Sequence, residues 1–227
     1  MNAVHELLNS HRSIRKFTDQ PISDELLTTI LRSGQAAATS SFLQGATVIR
    51  VRNPASREKL AAFAGNQPYV SSAAEFFVLC ADLKRPGNCC VQYDKPFEGD
   101  YTEHFIIATV DVALMAQNMV VAAEAAGLGI CYIGGLRNNP RDVSDLLQLP
   151  KGVYPVFGLC LGYPDQDPEC KPRLRSALRN TTNEYVNTTN NARAGGMASR
   201  GASKLRPCSA RRRARICASS SPTKASR

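Results

Sequence analysis

The segment EHFIIATVDVALMAQNMVVAAEAA (residues 103–126) decides the fold, because it is the longest periodic stretch of the chain and is apolar around most of a helical circumference. A helix of this kind is usually buried in a protein core. A membrane span is the rival interpretation. However, Asp111, Gln117 and Glu124 interrupt the apolar surface, and polar side chains at the centre of a span are costly in lipid. The segment therefore favours a buried central helix and no membrane association.

Shorter periodic segments on both sides of this helix alternate between helical and extended patterns. A stretch rich in Pro, Gly and Asn, residues 84–100, predicts a loop. We expect an α+β or α/β fold with three layers, in which helices flank a mixed central sheet. The predicted helices cover 2–9, 23–34, 54–64 and 139–149, and the predicted strands cover 46–51, 76–81, 131–135 and 153–162.

The formal net charge of +9 belongs to one end of the chain. Residues 1–173 contain 16 Lys and Arg against 18 Asp and Glu, a balance of −2, whereas residues 174–227 contain 12 against 1, a balance of +11. The charge therefore says nothing about partners of the first part. We expect one domain at residues 1–174 and a basic low-complexity tail at 175–227 that cannot bury enough surface to fold.

Three interpretations of the tail remain open. It is an out-of-register translation of a different ending, because a shifted reading frame in G+C-rich coding yields this mixture of Arg, Ala and Ser; or it is a basic arm that binds nucleic acid through phosphate contacts; or it is inert. Nucleic acid is expected as a partner only through this tail.

The cysteines indicate a reducing compartment and no metal site. Residues 1–17 lack the apolar core of a secretion signal, so we expect a cytoplasmic protein. Six of the eight cysteines lie before residue 174, without a CxxC pair, which argues against zinc, thioredoxin chemistry or a disulfide framework. Cys80, Cys131 and Cys160 lie in apolar runs and are predicted core residues.

The common signatures GxGxxG after a strand, GxxxxGK[ST], HExxH and GxSxG are absent, which leaves two basic segments as candidate binding elements. HRSIR spaces His11, Ser13 and Arg15 two apart, so that an extended backbone points all three to one side. KPR offers Lys171 and Arg173 with the same spacing. The two segments can hold one phosphate if the fold brings them together, although each alone is typical of a solvated surface cluster.

Polar loops supply further candidate ligand contacts. TSSFLQ (39–44) and GNQ (65–67) carry hydroxyl and amide groups suited to the edge of a heterocycle. The glycines that follow Ile133 at a predicted strand end allow backbone N–H groups to approach a ligand closely. Individually, each of these segments is also typical of an ordinary loop.

Together, HRSIRKFTDQPI, SSFLQ, GNQPYV, AAEAAGLGICYIGGLRNN, LPKGVYPVFGLCLGYP and KPRL, in this order, resemble the nitroreductase superfamily. Within it the resemblance is to oxygen-insensitive NADPH nitroreductases and flavin reductases, and it covers residues 1–174. It implies an α+β fold, a homodimer with each flavin in a crevice between subunits, and FMN reduced by NADPH or NADH and reoxidised by a small-molecule acceptor.

The resemblance also implies roles for individual residues. His11, Arg12 and Ser13, with Lys171 and Arg173, would hold the FMN phosphate. Arg15 would lie beside flavin N1 and O2, where a guanidinium favours the reduced state; it is the predicted catalytic residue. Contacts with the ring or ribityl chain would come from Thr39, Ser40, Ser41 and Gln67, and from Tyr132, Ile133, Gly134 and Gly135 on the other side of the ring.

The implied acceptors are nitroaromatics, quinones, free flavins and metal oxyanions such as chromate. An open crevice over a flat cofactor selects poorly among flat, electron-poor molecules, because discrimination needs shaped contacts. Two alternatives remain: a flavin reductase that supplies reduced FMN to a partner, and an FMN-binding or nucleic-acid-binding module without turnover. Beyond residue 174 the resemblance ends, so neither the preference between NADPH and NADH nor the strength of the dimer can be read from the sequence.

Overall fold

A four-stranded sheet forms the middle layer of the computed structural model, which describes residues 2–173. The strand order is β1-β2-β4-β3, and every neighbouring pair is antiparallel. The only parallel pairing in the described chain is a single bridge between Ser13 and Ile130. The predicted mixed sheet is thus antiparallel apart from this bridge. The strands are β1 (Ala46–Arg50), β2 (Glu75–Asp82), β3 (Gly129–Ile133) and β4 (Val153–Gly162).

Seven α-helices surround the sheet in the part of the chain that the structure describes, together with two short 3-10 helices, Ser40–Phe42 and Gly134–Asn138. Ser23 caps the second of them through its hydroxyl, which accepts from the Leu26 amide at 3.2 Å. Asn53 caps the third, and Pro54 occupies its first turn, as expected for Pro at a helix start. The helices are α1 (Ala3–Asn9), α2 (Asp24–Gln35), α3 (Pro54–Phe63), α4 (Tyr69–Ser72), α5 (Lys84–Gln92), α6 (Thr102–Ala125) and α7 (Pro140–Leu146).

Two apolar clusters lie on opposite faces of the sheet. On one face, Phe77, Leu79 and Leu159 pack against α2 and α6. On the other face, alternate residues of the same strands pack against α3, α4 and α7, as the two-residue period of a strand requires. The predicted three-layer α+β fold is confirmed.

The helix α6 is long and apolar enough to cross a membrane by length and composition alone. In the fold it instead packs one face on the sheet and on α2, with Val112, Ala116 and Met119 fully buried. Gly34 of α2 approaches it closely, since a Cβ there would lie 2.6 Å from Met119 Cγ. The prediction of a central core helix over 103–126 is confirmed.

The prediction of a loop over residues 84–100 is wrong for its first half, where the structure has α5. Pro86 and Gly87 suggested a loop. However, the first turn of a helix tolerates proline, because the N–H that proline lacks would have no partner within the helix. The Asp82 carboxylate supports this start by accepting from the Arg85 amide at 3.0 Å. Composition alone therefore misrepresented a short, capped helix.

The six cysteines before residue 174 are all free thiols. Cys80, Cys131 and Cys160 are buried in the cluster facing α3, as predicted for core residues. Burial raises the pKa of the Cys80 thiol to about 12 and raises those of the other two, so all three remain protonated and inert at neutral pH.

The described chain contains one compact unit, Met1–Lys171, while Pro172 begins a second unit. The predicted domain boundary at residue 174 stays a prediction. The tail at 175–227, with its three interpretations, lies outside the described residues.

Gly158 of β4 provides a test of the packing in the second cluster. A Cβ at this position would lie 2.6 Å from Phe76 Cζ and 3.2 Å from Ile133 Cβ, and both neighbours are fully buried. We expect Gly158→Ala to lower the free energy of unfolding by about 1–3 kcal/mol, because overpacking forces neighbours out of their rotamers. Urea denaturation measures the change.

The second variant of this experiment is Phe76→Leu, which removes the atoms nearest to the new methyl group. The double variant should lose less stability than the two single losses predict together, since contacting residues are not additive. A Gly158→Ala protein as stable as the original would contradict the packing described.

Candidate functional site

The segment of residues 11–15 is fixed along the edge strand β3. Ser13 bridges Ile130, and the Ile14 amide donates to the Ile130 carbonyl oxygen at 2.8 Å. Ile14 is buried against Gly129, where a Cβ would lie 2.6 Å from Ile14 Cγ1. The absence of a side chain at Gly129 therefore allows the segment to pack directly on β3.

A second segment, residues 163–171, runs beside the first. The Asp165 amide donates to the Lys16 carbonyl oxygen at 2.9 Å. Farther along, the Cys170 thiol donates to the Ser10 carbonyl oxygen at 3.5 Å. The end of the second segment thus lies beside the start of the basic motif HRSIR.

The two cations of KPR, Lys171 and Arg173, lie in different units of the structure. Lys171 is exposed and directly follows Cys170, so its backbone lies close to the beginning of HRSIR. Arg173 belongs to the separate unit that begins at Pro172, and its approach to His11 stays a prediction. The phosphate contacts of both side chains also stay predictions.

Carboxylates hold the side chains of the first two residues of HRSIR in place. His11 Nδ1 lies 2.6 Å from Glu124 Oε1, and the Glu124 side chain is only 13% exposed. Arg12 donates through Nη1 to the Asp167 carboxylate and to the Pro168 carbonyl oxygen, the latter at 3.1 Å. These groups line a cavity of about 200 Å³ between the two segments and the end of α6.

A second cluster joins Arg15 to the residues around Gly134 and Gly135. The Gln67 amide nitrogen donates to the Ala64 carbonyl oxygen at 2.6 Å, and the Tyr69 hydroxyl donates to Gln67 Oε1. A Cβ at Gly135 would lie 2.4 Å from the Ala64 oxygen and 2.8 Å from Gln67 Nε2, so only glycine fits there. Burial raises the pKa of Tyr69, and a hydrogen bond with the Arg15 guanidinium partly offsets this rise.

The Ile133 side chain points into the core, whereas the Tyr132 side chain is half-buried against it. The Tyr132 ring packs edge-on against Phe157 with centroids 5.1 Å apart, and its hydroxyl donates to Gln117 Oε1 at 3.5 Å. Burial, followed by the nearby charge of Glu124, raises the pKa of Tyr132 to about 12. Ile133 is fully buried on the opposite face of the sheet. Ile133 therefore offers a ligand only its backbone, whereas part of the Tyr132 side chain stays exposed.

Thr39, Ser40 and Ser41 lie on the loop that precedes β1. The Thr39 hydroxyl donates to the Asp111 carboxylate, and the Ser40 amide donates to Asp111 Oδ1 at 3.2 Å. Ser40 and Ser41 are exposed. This group of predicted site residues is thus built on the middle of α6.

The structure places the predicted site residues at opposite edges of the sheet. The loop of Thr39 leads into β1, whereas residues 11–15 lie along β3, and these are the two edge strands. On α6, Asp111 and Glu124 are thirteen residues apart, which corresponds to about 20 Å of helix. Within one chain, Thr39 and His11 do not form a single site.

Asp111, Glu124, Tyr69 and Asp167 complete these clusters, although no sequence motif identified them as functional. Asp111 and Glu124 were visible only as polar interruptions of an apolar helix. A carboxylate on a largely apolar helix needs a buried polar partner, and this requirement is the signal that could have identified them.

The comparison with protein families matches residues 8–163 to the Nitroreductase family. An "NADPH-flavin oxidoreductase" of Vibrio harveyi is 48% identical over 185 residues, covering 82% of this chain and 75% of that protein. A "CR(VI) reductase" of Pseudomonas sp. (strain G-1) is 42% identical over 182 residues, covering 80% of this chain and 75% of that protein.

Among solved structures, nitroreductase A from Vibrio parahaemolyticus superposes with a TM-score of 0.81 at 47% identity, covering 86% of this chain and 82% of that one. The similarity in sequence and in fold extends over most of both chains. The chain belongs to the nitroreductase family.

Proposed function

We propose that the protein is an FMN-dependent NAD(P)H oxidoreductase that passes electrons to nitroaromatics, quinones or metal oxyanions such as chromate. The observation that carries this proposal is the cluster of Arg15, Gln67 and Gly135 at the end of β3, beside the basic segment of His11 and Arg12. Membership of the nitroreductase family, and the names of relatives that reduce flavins and Cr(VI), support the same activity.

The residues present fit a flavin nucleotide. His11, Arg12 and Lys171 offer positive charge or N–H donors near one cavity, which suits a phosphate ester. The guanidinium of Arg15 and the amide of Gln67 suit the oxygen and nitrogen atoms at the edge of a heterocycle. When bound, FMN supplies the two-electron chemistry that links NAD(P)H to the acceptor.

In this arrangement, Arg15 provides a fixed positive charge at the reacting centre. Burial raises the pKa of Tyr69 and of Cys131, so both remain neutral at physiological pH. Arg15 therefore keeps its charge uncompensated by these neighbours. Such a charge lowers the barrier for a step in which negative charge develops beside it.

The reaction requires no acid or base from the protein. Within the described chain, the predicted site lacks a histidine other than His11, whose Nδ1 is engaged by Glu124. Protons can come from water, since the crevice is open. The residues of the chain bind FMN, orient it and stabilise the negative charge that develops on it.

The site functions between two copies of the chain. Ile106, Val110 and Leu114 follow one another at four-residue spacing on α6 and are 50%, 48% and 41% exposed, which places them on one helical face. An apolar stripe on the outer face of a core helix is suited to a second copy of the same helix. Symmetric pairing would also bring a partner's copy of the Thr39 loop to the cluster of Arg15, which one chain alone leaves at the opposite sheet edge.

We place the protein in the cytoplasm as a soluble enzyme. Free thiols and a requirement for reduced nicotinamide cofactor suit a reducing compartment. The core packing of α6 accounts for its apolar character without a membrane.

A flavin reductase that releases reduced FMN is the second candidate, because the relative that is 48% identical is named for flavin reduction. The two functions differ in the preferred acceptor. Faster turnover with free FMN than with nitrofurazone, quinones or chromate would favour the second.

The purified protein tests the proposed activity directly. We expect a yellow protein that bleaches with NADPH or NADH under anaerobic conditions and recovers its colour when nitrofurazone, a quinone or chromate is added. A colourless protein that cannot be reconstituted with FMN would exclude the enzyme.

Arg15→Ala should slow flavin reduction far more than it weakens FMN binding. The loss of a donor aimed at developing charge is about 2–4 kcal/mol in activation free energy. Anaerobic stopped-flow measurement of the bleaching rate, together with an FMN titration, separates the two effects. Arg15→Lys is the matched variant and should retain part of the rate, because it keeps the charge but not the planar donor pair. Equal losses in rate and in affinity would mean that Arg15 only binds FMN and does not stabilise the transition state.

Leu114→Glu should convert the dimer into monomers that retain little FMN. The carboxylate would lie in the centre of the apolar interface, where an unpaired charge is costly. Light scattering gives the mass, and absorbance at the flavin band gives the occupancy. Arg141→Glu, on the exposed surface of α7, changes charge more strongly and should alter neither. A Leu114→Glu protein that remains a fully loaded dimer would refute this interface.

A further inference from the structure

Asp111 is the most deeply buried carboxylate in the described chain, with 3% of its surface exposed. It lies in the middle of α6 and receives three hydrogen bonds from one loop. The Gly45 amide donates to Oδ2 at 3.0 Å, the Ser40 amide donates to Oδ1 at 3.2 Å, and the Thr39 hydroxyl donates to Oδ2. A buried carboxylate requires such partners, and here both ends of a single loop supply them.

The loop between these contacts has an unfavourable backbone conformation. Ser41, Phe42 and Gln44 have φ values of 49°, 54° and 54°, which is the left-handed region that residues with a side chain rarely adopt. Conformations of this kind are unfavourable for residues with a side chain and persist only where the surroundings enforce them. The loop therefore depends on its anchors.

Side-chain packing at Phe42, in the middle of the loop, does not supply the anchoring. The Phe42 side chain is 79% exposed, and the loop borders a cavity of about 370 Å³ that also contacts Met115. The Thr39 hydroxyl, in turn, accepts from the Gln44 amide at 2.8 Å while it donates to Asp111. Both hydrogen-bonding functions of that hydroxyl are thus used inside the loop.

The second end of the loop is held by close contact as well as by a hydrogen bond. A Cβ at Gly45 would lie 3.2 Å from Cα and from Cβ of Ala108, one helical turn before Asp111. The backbone of Gly45 therefore rests directly on α6. This contact places the Gly45 amide within reach of the carboxylate.

We propose that Asp111 is a positioning residue of the flavin site: its carboxylate holds the loop Thr39–Gly45 in the strained conformation that presents Ser40 and Ser41 to the flavin of the second copy. This inference rests on the proposed function. It also reassigns Thr39, whose hydroxyl organises the loop and is not free to contact the cofactor. The effect of Asp111 on FMN passes entirely through the loop.

The variant Asp111→Asn tests the proposal with little change in volume. Its amide nitrogen would face a donor in place of one carboxylate oxygen, so the Ser40 amide, on Oδ1, and the Gly45 amide, on Oδ2, could not both remain bound. We expect chymotrypsin to cleave after Phe42 at least tenfold faster than in the original protein, because proteolysis requires a locally opened chain. We also expect the Kd for FMN to rise about tenfold.

Asp82→Asn is the matched control. Asp82 is another buried carboxylate, 8% exposed, and it accepts from the Thr47 hydroxyl and from the Arg85 amide without touching the loop through its side chain. Both substitutions should lower the thermal midpoint. Only Asp111→Asn should change the cleavage after Phe42 and the Kd for FMN, which a general loss of stability in the folded protein would not do.

Unchanged cleavage and an unchanged Kd in Asp111→Asn would overturn the proposal and leave the proposed function standing. If that variant does not fold, Thr39→Val decides, because it removes both hydrogen bonds of the hydroxyl and should accelerate the same cleavage. Failure of the original protein to bind FMN would refute the proposed function, and the Kd prediction with it, whereas the cleavage assay would still report whether Asp111 holds the loop.

Discussion

The structure depends on the packing of α6 across the sheet, and two carboxylates on this helix connect the core to the surface. Asp111 binds the loop that enters β1, and Glu124 binds His11 beside β3. Both are polar groups on a helix that is otherwise apolar, so each must form its hydrogen bonds or lose stability. The need of these buried carboxylates for hydrogen bonds therefore fixes the Thr39 loop and the HRSIR segment to the helix α6.

The rise of the helix explains why these segments do not meet within one chain. Thirteen residues of α6 separate the two carboxylates by about 20 Å, and the full width of the sheet separates β1 from β3. A helix is too stiff to shorten this distance. In the proposed dimer, a second copy related by symmetry would remove the difficulty, because it would bring its own Thr39 loop to the far edge while α6 buries its exposed apolar stripe.

Most of the fold could be predicted from the sequence because its elements are set by local patterns. The apolar period of residues 103–126, the caps at Ser23 and Asn53, and the apolar runs that became β2 and β4 are all local. The helix α5 could not be recognised, because its own composition favours a loop and its first turn is supported by Asp82, which precedes the N-cap Leu83 at the end of β2. The pairing of Ser13 with Ile130 is likewise long-range and has no local signal.

The candidate site was less predictable for a related reason: residue type indicates which groups can bind a ligand, but not which of them are already occupied. Thr39 carries a hydroxyl suited to a heterocycle, yet the fold uses it for Asp111 and for the Gln44 amide. Tyr132 and Ile133 follow one another in the glycine-rich motif, yet the Ile133 side chain is fully buried in the core and the Tyr132 side chain is half-buried. In contrast, Arg15 lies beside Tyr69 and Cys131, which burial keeps protonated, and donates to the Ser13 carbonyl oxygen at 3.4 Å, so its charge stays available for chemistry. Whether a side chain is available to a ligand is decided by its neighbours in the tertiary structure. For Thr39 and Tyr132 these neighbours include Asp111 and Gln117 of α6.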